Sequence, residues 1–305
     1  MVDFVSSPAE QRCGAARLEV AQVSGQSTVT ECYSKNPIRL LTPRSRGLSV
    51  WGYLSNLGGG LVAGDETHLT ATVGAGARCF LGTQSSTKVY RNPAGRPCHH
   101  TTEANIGSGA LLVLAPDPVQ AFGEASYTQH QEFRLQPGAS LVLLDWFTSG
   151  RMARGERWQF HKLRSRNAVW QVPGDPATQQ HAPEDAHTLT AIALRKPRLL
   201  FLDALSLCSQ SQPLASSFRL GRFNCIALLL LTGPMLAPAS QALLQATSDV
   251  AIAPGAAISI SASPFRDGAL VRIAGERTRD VASILESHLS FLAPLLGDNP
   301  WARRF

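Results

Sequence analysis

Apolar and polar residues alternate with a period of two through much of this chain, and the alternation is cleanest at Thr67–Val73, where Leu69, Ala71 and Val73 share one face. Further strands are expected at Ser140–Trp146, Glu156–Leu163 with Trp158 and Phe160 on one face, Arg198–Leu202, Ile226–Thr232 and Ala269–Ile273. A helical stripe occurs once in strong form. From about Thr278 to Leu296, residues Val281, Ile284, Leu285, Leu289, Leu292 and Leu296 recur at three- and four-residue spacing. A weaker helix is expected near Ser240, a candidate N-cap, carrying Leu243 and Leu244.

Four segments echo one another, each with a turn glycine, an alanine and then an apolar strand. They are V-G-A-G-A-R-C-F-L from Val73, I-G-S-G-A-L-L-V-L from Ile106, L-Q-P-G-A-S-L-V-L from Leu135 and I-A-P-G-A-A-I-S-I from Ile252. The first three stand about thirty residues apart, a spacing that suggests stacked units unable to bury their apolar faces alone. Glycine also serves ordinary hairpin turns, and either origin gives a β body. The expected fold is therefore mainly β, a large layered sandwich or β-helix-like array of stacked hairpins with about two α-helices near the C-terminal half. Residues 1–305 read as one domain, because the proline-rich stretch Val172–His187 is equally well a surface loop.

The glycine-rich segment N-L-G-G-G-L-V-A-G-D at Asn56–Asp65 has the spacing of a dinucleotide-binding turn. That reading requires a helix next and an acidic residue about twenty positions on, and neither is present. The net charge of +6 is spread over small basic groups such as Arg151/Arg154/Arg157, with no run resembling a nucleic-acid-binding tail. Six cysteines contain no C-x-x-C pair and suit reduced thiols. The first ten residues lack a signal-peptide pattern, and the apolar run Ile226–Leu231 is too short to cross a bilayer, so a cytoplasmic location is expected.

No G-x-S-x-G elbow is present, and Ser149 has no recognisable catalytic partner and reads as a turn serine. Cys98-His99-His100 offers metal-ligating side chains, but on a strand only Cys98 and His100 share a face, and a closed site needs further ligands. More unusual is the supply of polar residues between apolar strands: Asp65, Thr83–Lys88, Asp117, Glu124, Asp145 and Asp203. Such groups are either exposed in turns or enclosed, and enclosure implies internal hydrogen bonds or a wet passage. The other function classes open to a β-rich chain are an enzyme of unrecognised mechanism or a ligand-binding protein. Dispersed carboxylates without a convergent acid, base or nucleophile do not favour the enzyme.

Five segments together resemble the UreD (UreH) family of urease accessory proteins: G-G-G-L-V-A-G-D at 58–65, T-Q-S-S-T-K-V-Y-R at 83–91, P-D-P-V-Q-A-F at 116–122, D-W-F-T-S-G-R-M-A-R-G-E-R-W at 145–158 and R-D-G-A-L-V-R-I-A-G at 266–275. Leu57 and Ala63 stand where that family usually has proline and glycine. The resemblance implies a non-catalytic scaffold with no tightly bound cofactor, partnered by UreF, the GTPase UreG and the urease apoprotein, with nickel in transit through a water-filled internal passage. Carried over to this chain, it makes Asp65, Asp145 and Asp203 candidate transient nickel ligands, and Thr83, Ser86 and Lys88 candidate passage-lining residues. Weak, spaced oxygen ligands suit an ion that must be released again. The final helix and the tail W-A-R-R-F are candidate UreF contacts.

Overall fold

The computed structural model describes residues 13–44, 47–93, 95–174, 196–210, 212–248, 250 and 253–302. In chain order the first strands are β1 (Cys13–Val23), β2 (Gln26–Lys35), β3 (Ile38–Leu41), β4 (Val50–Asn56), β5 (Glu66–Val73), β6 (Arg78–Thr83), β7 (Thr87–Val89), β8 (Cys98–Ile106) and β9 (Leu111–Leu114). They are followed by β10 (Val119–Ala121), β11 (Ser126–Leu135), β12 (Ser140–Thr148), β13 (Lys162–Gln171), β14 (Arg198–Cys208), β15 (Cys225–Thr232), β16 (Ile258–Phe265) and β17 (Gly268–Gly275). Among the described residues three α-helices follow: α1 (Ala237–Ser248), α2 (Thr278–His288) and α3 (Leu292–Leu296).

The strands form two sheets. One has seven strands in the order β14-β13-β11-β8-β5-β1-β2, and the other runs β16-β17-β15-β12-β9-β6-β4-β3 with β7 and β10 attached at its side. The middle of each sheet is parallel: β1, β5, β8, β11 and β13 in the first, and β4, β6, β9 and β12 in the second. The chain therefore coils from one sheet to the other and back, and each coil lies beside the previous one as in a solenoid. The repeating unit is a strand, a turn and a strand in the opposite sheet, and it pairs with the next unit rather than within itself.

The three echoed motifs are the turns of these coils. Ala77, Ala110 and Ala139 donate their N–H to the carbonyl three residues back, at 3.0, 3.0 and 3.1 Å. The residue before each alanine, Gly76, Gly109 or Gly138, has φ of 69°, 64° or 76°, which the third position of a type II turn requires and glycine supplies without strain. The alanines are buried where successive turns stack, and Gly107 N–H to Val73 O (2.8 Å) and Gln136 N–H to Ile106 O (2.9 Å) tie one coil to the next. The fourth echo makes the same kind of turn at Ala253–Ala256, with Gly255 at φ 81°, but it leads into edge strand β16 and no coil follows it. Its first residue, Ile252, lies outside the described residues, as do residues 175–187 of the proline-rich stretch and residues 303–305 of the C-terminal tail.

One apolar cluster fills the space between the sheets and a second lies between the outer face of the β12/β15/β17 sheet and the helices. That explains why all nine residues of β12 are buried: the strand is covered on both faces. The segment expected to be one helix over Thr278–Leu296 is two. Pro294 has no N–H to give to the Ser290 carbonyl, and its ring would clash there, so the chain turns at Leu289–Phe291 before α3. Ser240 lies inside α1, buried, rather than capping it. Nor does the strand at Glu156–Leu163 begin before Lys162, because Trp158 takes a left-handed φ of 55°; Trp158 and Phe160 are both buried and meet edge to face at 5.9 Å. No helix among the described residues is long and apolar enough to cross a membrane.

Candidate internal passage

Parallel register decides which polar side chains meet. On the inward face of the seven-stranded sheet, Thr67 pairs with His100, His100 with Gln129, and Gln129 with Ser165. One step along the strands, Thr102 pairs with Gln131, Gln131 with Asn167, and Asn167 with Asp203 of β14. These two polar rungs lie between apolar ones, Cys98–Tyr127–Leu163–Leu207 on one side and Ala71–Ala104–Phe133–Val169 on the other. They run across the strands, along the stacking direction of the coils. Thr67, Thr102, Gln129, Gln131, Ser165 and Asn167 are all buried.

Asp145 of β12 projects into this stripe from the facing sheet and is 7 % exposed. Its Oδ1 accepts from Gln129 Nε2 (2.9 Å) and its Oδ2 from Ser165 Oγ (2.6 Å) and Asn167 Nδ2 (2.8 Å). Burial pushes the carboxyl above the ordinary carboxylate range, the three donors offset only part of that rise, and the charge of Asp203 adds to the upward push. Gln131 Nε2 in turn donates to Asn167 Oδ1 (2.9 Å), and Tyr127 Oη donates to Gln129 Oε1 (3.0 Å). His100 is held between Thr67 (Nδ1 to Oγ1, 2.8 Å) and Thr102 (Nε2 to Oγ1, 3.0 Å), and burial lowers its pKa to about 4, keeping the imidazole neutral.

Two cavities border the stripe and another adjoins them. An outer cavity of about 1020 Å³ is bordered by Leu40, Thr83, Ser86, Asp117, Trp146 and Glu286. A central one of about 50 Å³ is walled by Thr83, His100, Thr102, Gln129, Gln131 and Asp145 among others. A third, of about 430 Å³, opens between edge strands β14 and β16 and is lined by Asp145, Asp203, Leu205, Ser261 and Arg272 with their neighbours. Thr83, Asp117 and Trp146 form part of the wall of both outer and central cavities, and Asp145 part of both central and third. At the first junction Thr83 Oγ donates to Asp117 Oδ2 (3.0 Å) while accepting from Asp117 N–H (2.7 Å), and Trp146 is fixed by donating Nε1–H to Pro116 O (2.8 Å).

The residues singled out from the sequence thus separate. Asp145, Asp203, Thr83 and Ser86 line the cavities, whereas Asp65 and Lys88 do not. Asp65 closes the turn Val62–Asp65: its Oδ2 accepts Val62 N–H (2.9 Å) and its own N–H donates to Val62 O (2.9 Å). Lys88 is exposed on β7. Cys98 is buried and donates to Val62 O (3.0 Å), away from His100, and no group of three metal-ligating side chains occurs among the described residues. The thiols of Cys79 and Cys225 are pushed up to about 12 by burial and are inert. Arg151 pairs with Glu156, and Arg157 bonds Asn224 and the Gly221 carbonyl, so two of the basic triplet brace local loops.

A family model described as UreD urease accessory protein matches residues 12–305. The chain belongs to the UreD urease accessory protein family. Similar curated proteins include the urease accessory protein UreD of Sorangium cellulosum (strain So ce56), 38 % identical over 96 % of this chain and 85 % of that protein. The UreD of Anaeromyxobacter sp. (strain Fw109-5) is 36 % identical over 96 % and 90 %, and urease accessory protein D of Arabidopsis thaliana 34 % identical over 94 % and 99 %. These shares make this a UreD-family chain through nearly its whole length. The polar rungs carry a sequence signal that motif matching does not use: Gln129 and Gln131 occupy the same parity as Tyr127, Phe133 and Leu135, as Ser165 and Asn167 do with Leu163 and Val169. A polar residue on an apolar parity marks an enclosed polar group.

Proposed function

We propose that this UreD-family chain acts in the cytoplasm as a scaffold for urease maturation, binding UreF, through it the GTPase UreG, and the urease apoprotein, and that nickel crosses its interior along the two polar rungs. The observation carrying this reading is that the three cavities share walls at polar residues, Thr83 and Asp117 at one junction and Asp145 at the other. A single water needs roughly 10–15 Å³ of such space. The central cavity, at about 50 Å³, therefore has room for only a few waters, and an ion passing it sheds much of its hydration shell. The Asp145 carboxylate, with threonine hydroxyls and glutamine carbonyl oxygens, replaces part of that shell without enclosing the ion, so that it can leave again. Outer-cavity groups Ser86, Asp117 and Glu286 and the inner Asp203 give the ion oxygen atoms on either side.

Co-expression of the four proteins in nickel medium tests this. Asp145→Asn keeps size and most hydrogen bonds but removes the charge. UreF and UreG should still co-purify with the variant while urease activation falls about tenfold or more; full activation with an intact complex would sink the passage.

A further inference from the structure

The third cavity carries an ion pair that the passage itself does not require. Asp203 on β14 belongs to the seven-stranded sheet, and Arg272 on β17 to the facing one; Arg272 Nη2 meets Asp203 Oδ1 at 2.7 Å across the open end of the sandwich. The side chains are unequally placed, Arg272 being 59 % exposed and Asp203 only 18 %, so the guanidinium sits at the mouth and the carboxylate inside. Behind Asp203, on the same cavity wall, stands Asp145, close enough to feel the Asp203 charge. Arg272 is the one cationic side chain lining this cavity among the described residues.

Two carboxylates facing one wet cavity without a cation make a trap for a divalent ion, since each adds attraction and no positive charge competes with it. A conduit needs the opposite, a site that gives the ion up. We propose that Arg272 sets how tightly the inner end of the route holds a cation: paired with Asp203 it leaves the cavity one net negative charge, at Asp145, in place of two. This inference rests on the passage reading and adds to it the residue that keeps the passage from retaining its cargo. An arriving cation must compete with the guanidinium for Asp203, and the exposed guanidinium is free to swing outward into water and return. Arg272→Lys preserves the charge of the pair.

The test is a titration of the purified full chain with nickel chloride, reported by competition with a chromogenic chelator, alongside thermal unfolding of each variant. Arg272→Gln should bind nickel about tenfold or more tightly than wild type, and Arg272→Lys should stay near wild type. The double variant Arg272→Gln/Asp203→Asn should lose the gain, which separates the carboxylate pair from any loosening of the sheets. Nickel affinity unchanged in Arg272→Gln overturns the role of Arg272. If Asp145→Asn still abolishes urease activation in that case, the passage stands without it; if Asp145→Asn activates fully, both fall.

Discussion

Two aspartates in this chain are almost equally buried, and they are buried for different reasons. Asp65 sits at the end of a turn and uses its carboxylate to accept the N–H of Val62, three residues back, and it lines none of the three cavities. Asp145 sits in a strand covered on both faces, where a leucine would pack, and its three donors come from two strands of the opposite sheet. The first arrangement is what a tight turn needs. The second is expensive, because enclosing a carboxylate in a core costs several kcal/mol before its partners offset it, and a scaffold alone gains nothing from it over an apolar side chain. It stands at the wall between two cavities, where the proposed passage needs an oxygen ligand.

That contrast yields experiments of decreasing effect. Replacing a polar rung by an apolar one, Gln131→Leu with Thr102→Val, should still give a folded chain, at a cost of about 1–3 kcal/mol for each partner left unpaired, Asn167 Oδ1 and His100 Nε2. Urease activation should nevertheless fall about tenfold or more, which activity assays on the co-expressed complex would read. His100 gives a pH signature. Its folded pKa of about 4 lies below the ordinary 6.5, so the unfolded chain binds the extra proton first as pH falls. Stability is therefore complete above 6.5 and declines by roughly 3 kcal/mol as the pH drops from 6.5 to 4. Denaturant unfolding across that window checks this, and His100→Asn should flatten the decline. Asp65→Ala should lower stability by about 1–3 kcal/mol through the lost turn bond, with activation falling only in proportion to the folded protein recovered. Lys88→Gln, at an exposed position, should change stability by less than about 0.5 kcal/mol and leave activation unaltered.

The strands and coil turns were legible because their signals are local: alternation, and glycine where a turn needs positive φ. What pairs with what was not. Thr102 and Gln131 are neighbours only because coils about thirty residues apart stack in register, and no local pattern encodes that register. Single side chains defeated the pattern elsewhere. Trp158 and Phe160 have strand parity but lie in a loop, turned there by the left-handed Trp158. Pro294 divides a helical stripe that is otherwise continuous. For the candidate site, Asp145, Asp203, Thr83 and Ser86 were found through family resemblance, whereas Gln129, Gln131, Ser165 and Asn167 stood on the core parity of their strands and went unremarked. Asp65 shows the converse, a motif aspartate whose visible work is to hold a turn.

The most direct test of the central claim is the nickel content of urease purified from cells carrying Asp145→Asn in place of the wild-type chain, with assembly of the maturation complex verified in the same cells. The expected result is an assembled complex and urease largely without nickel. Urease loaded to the wild-type level by an assembled Asp145→Asn complex would contradict it.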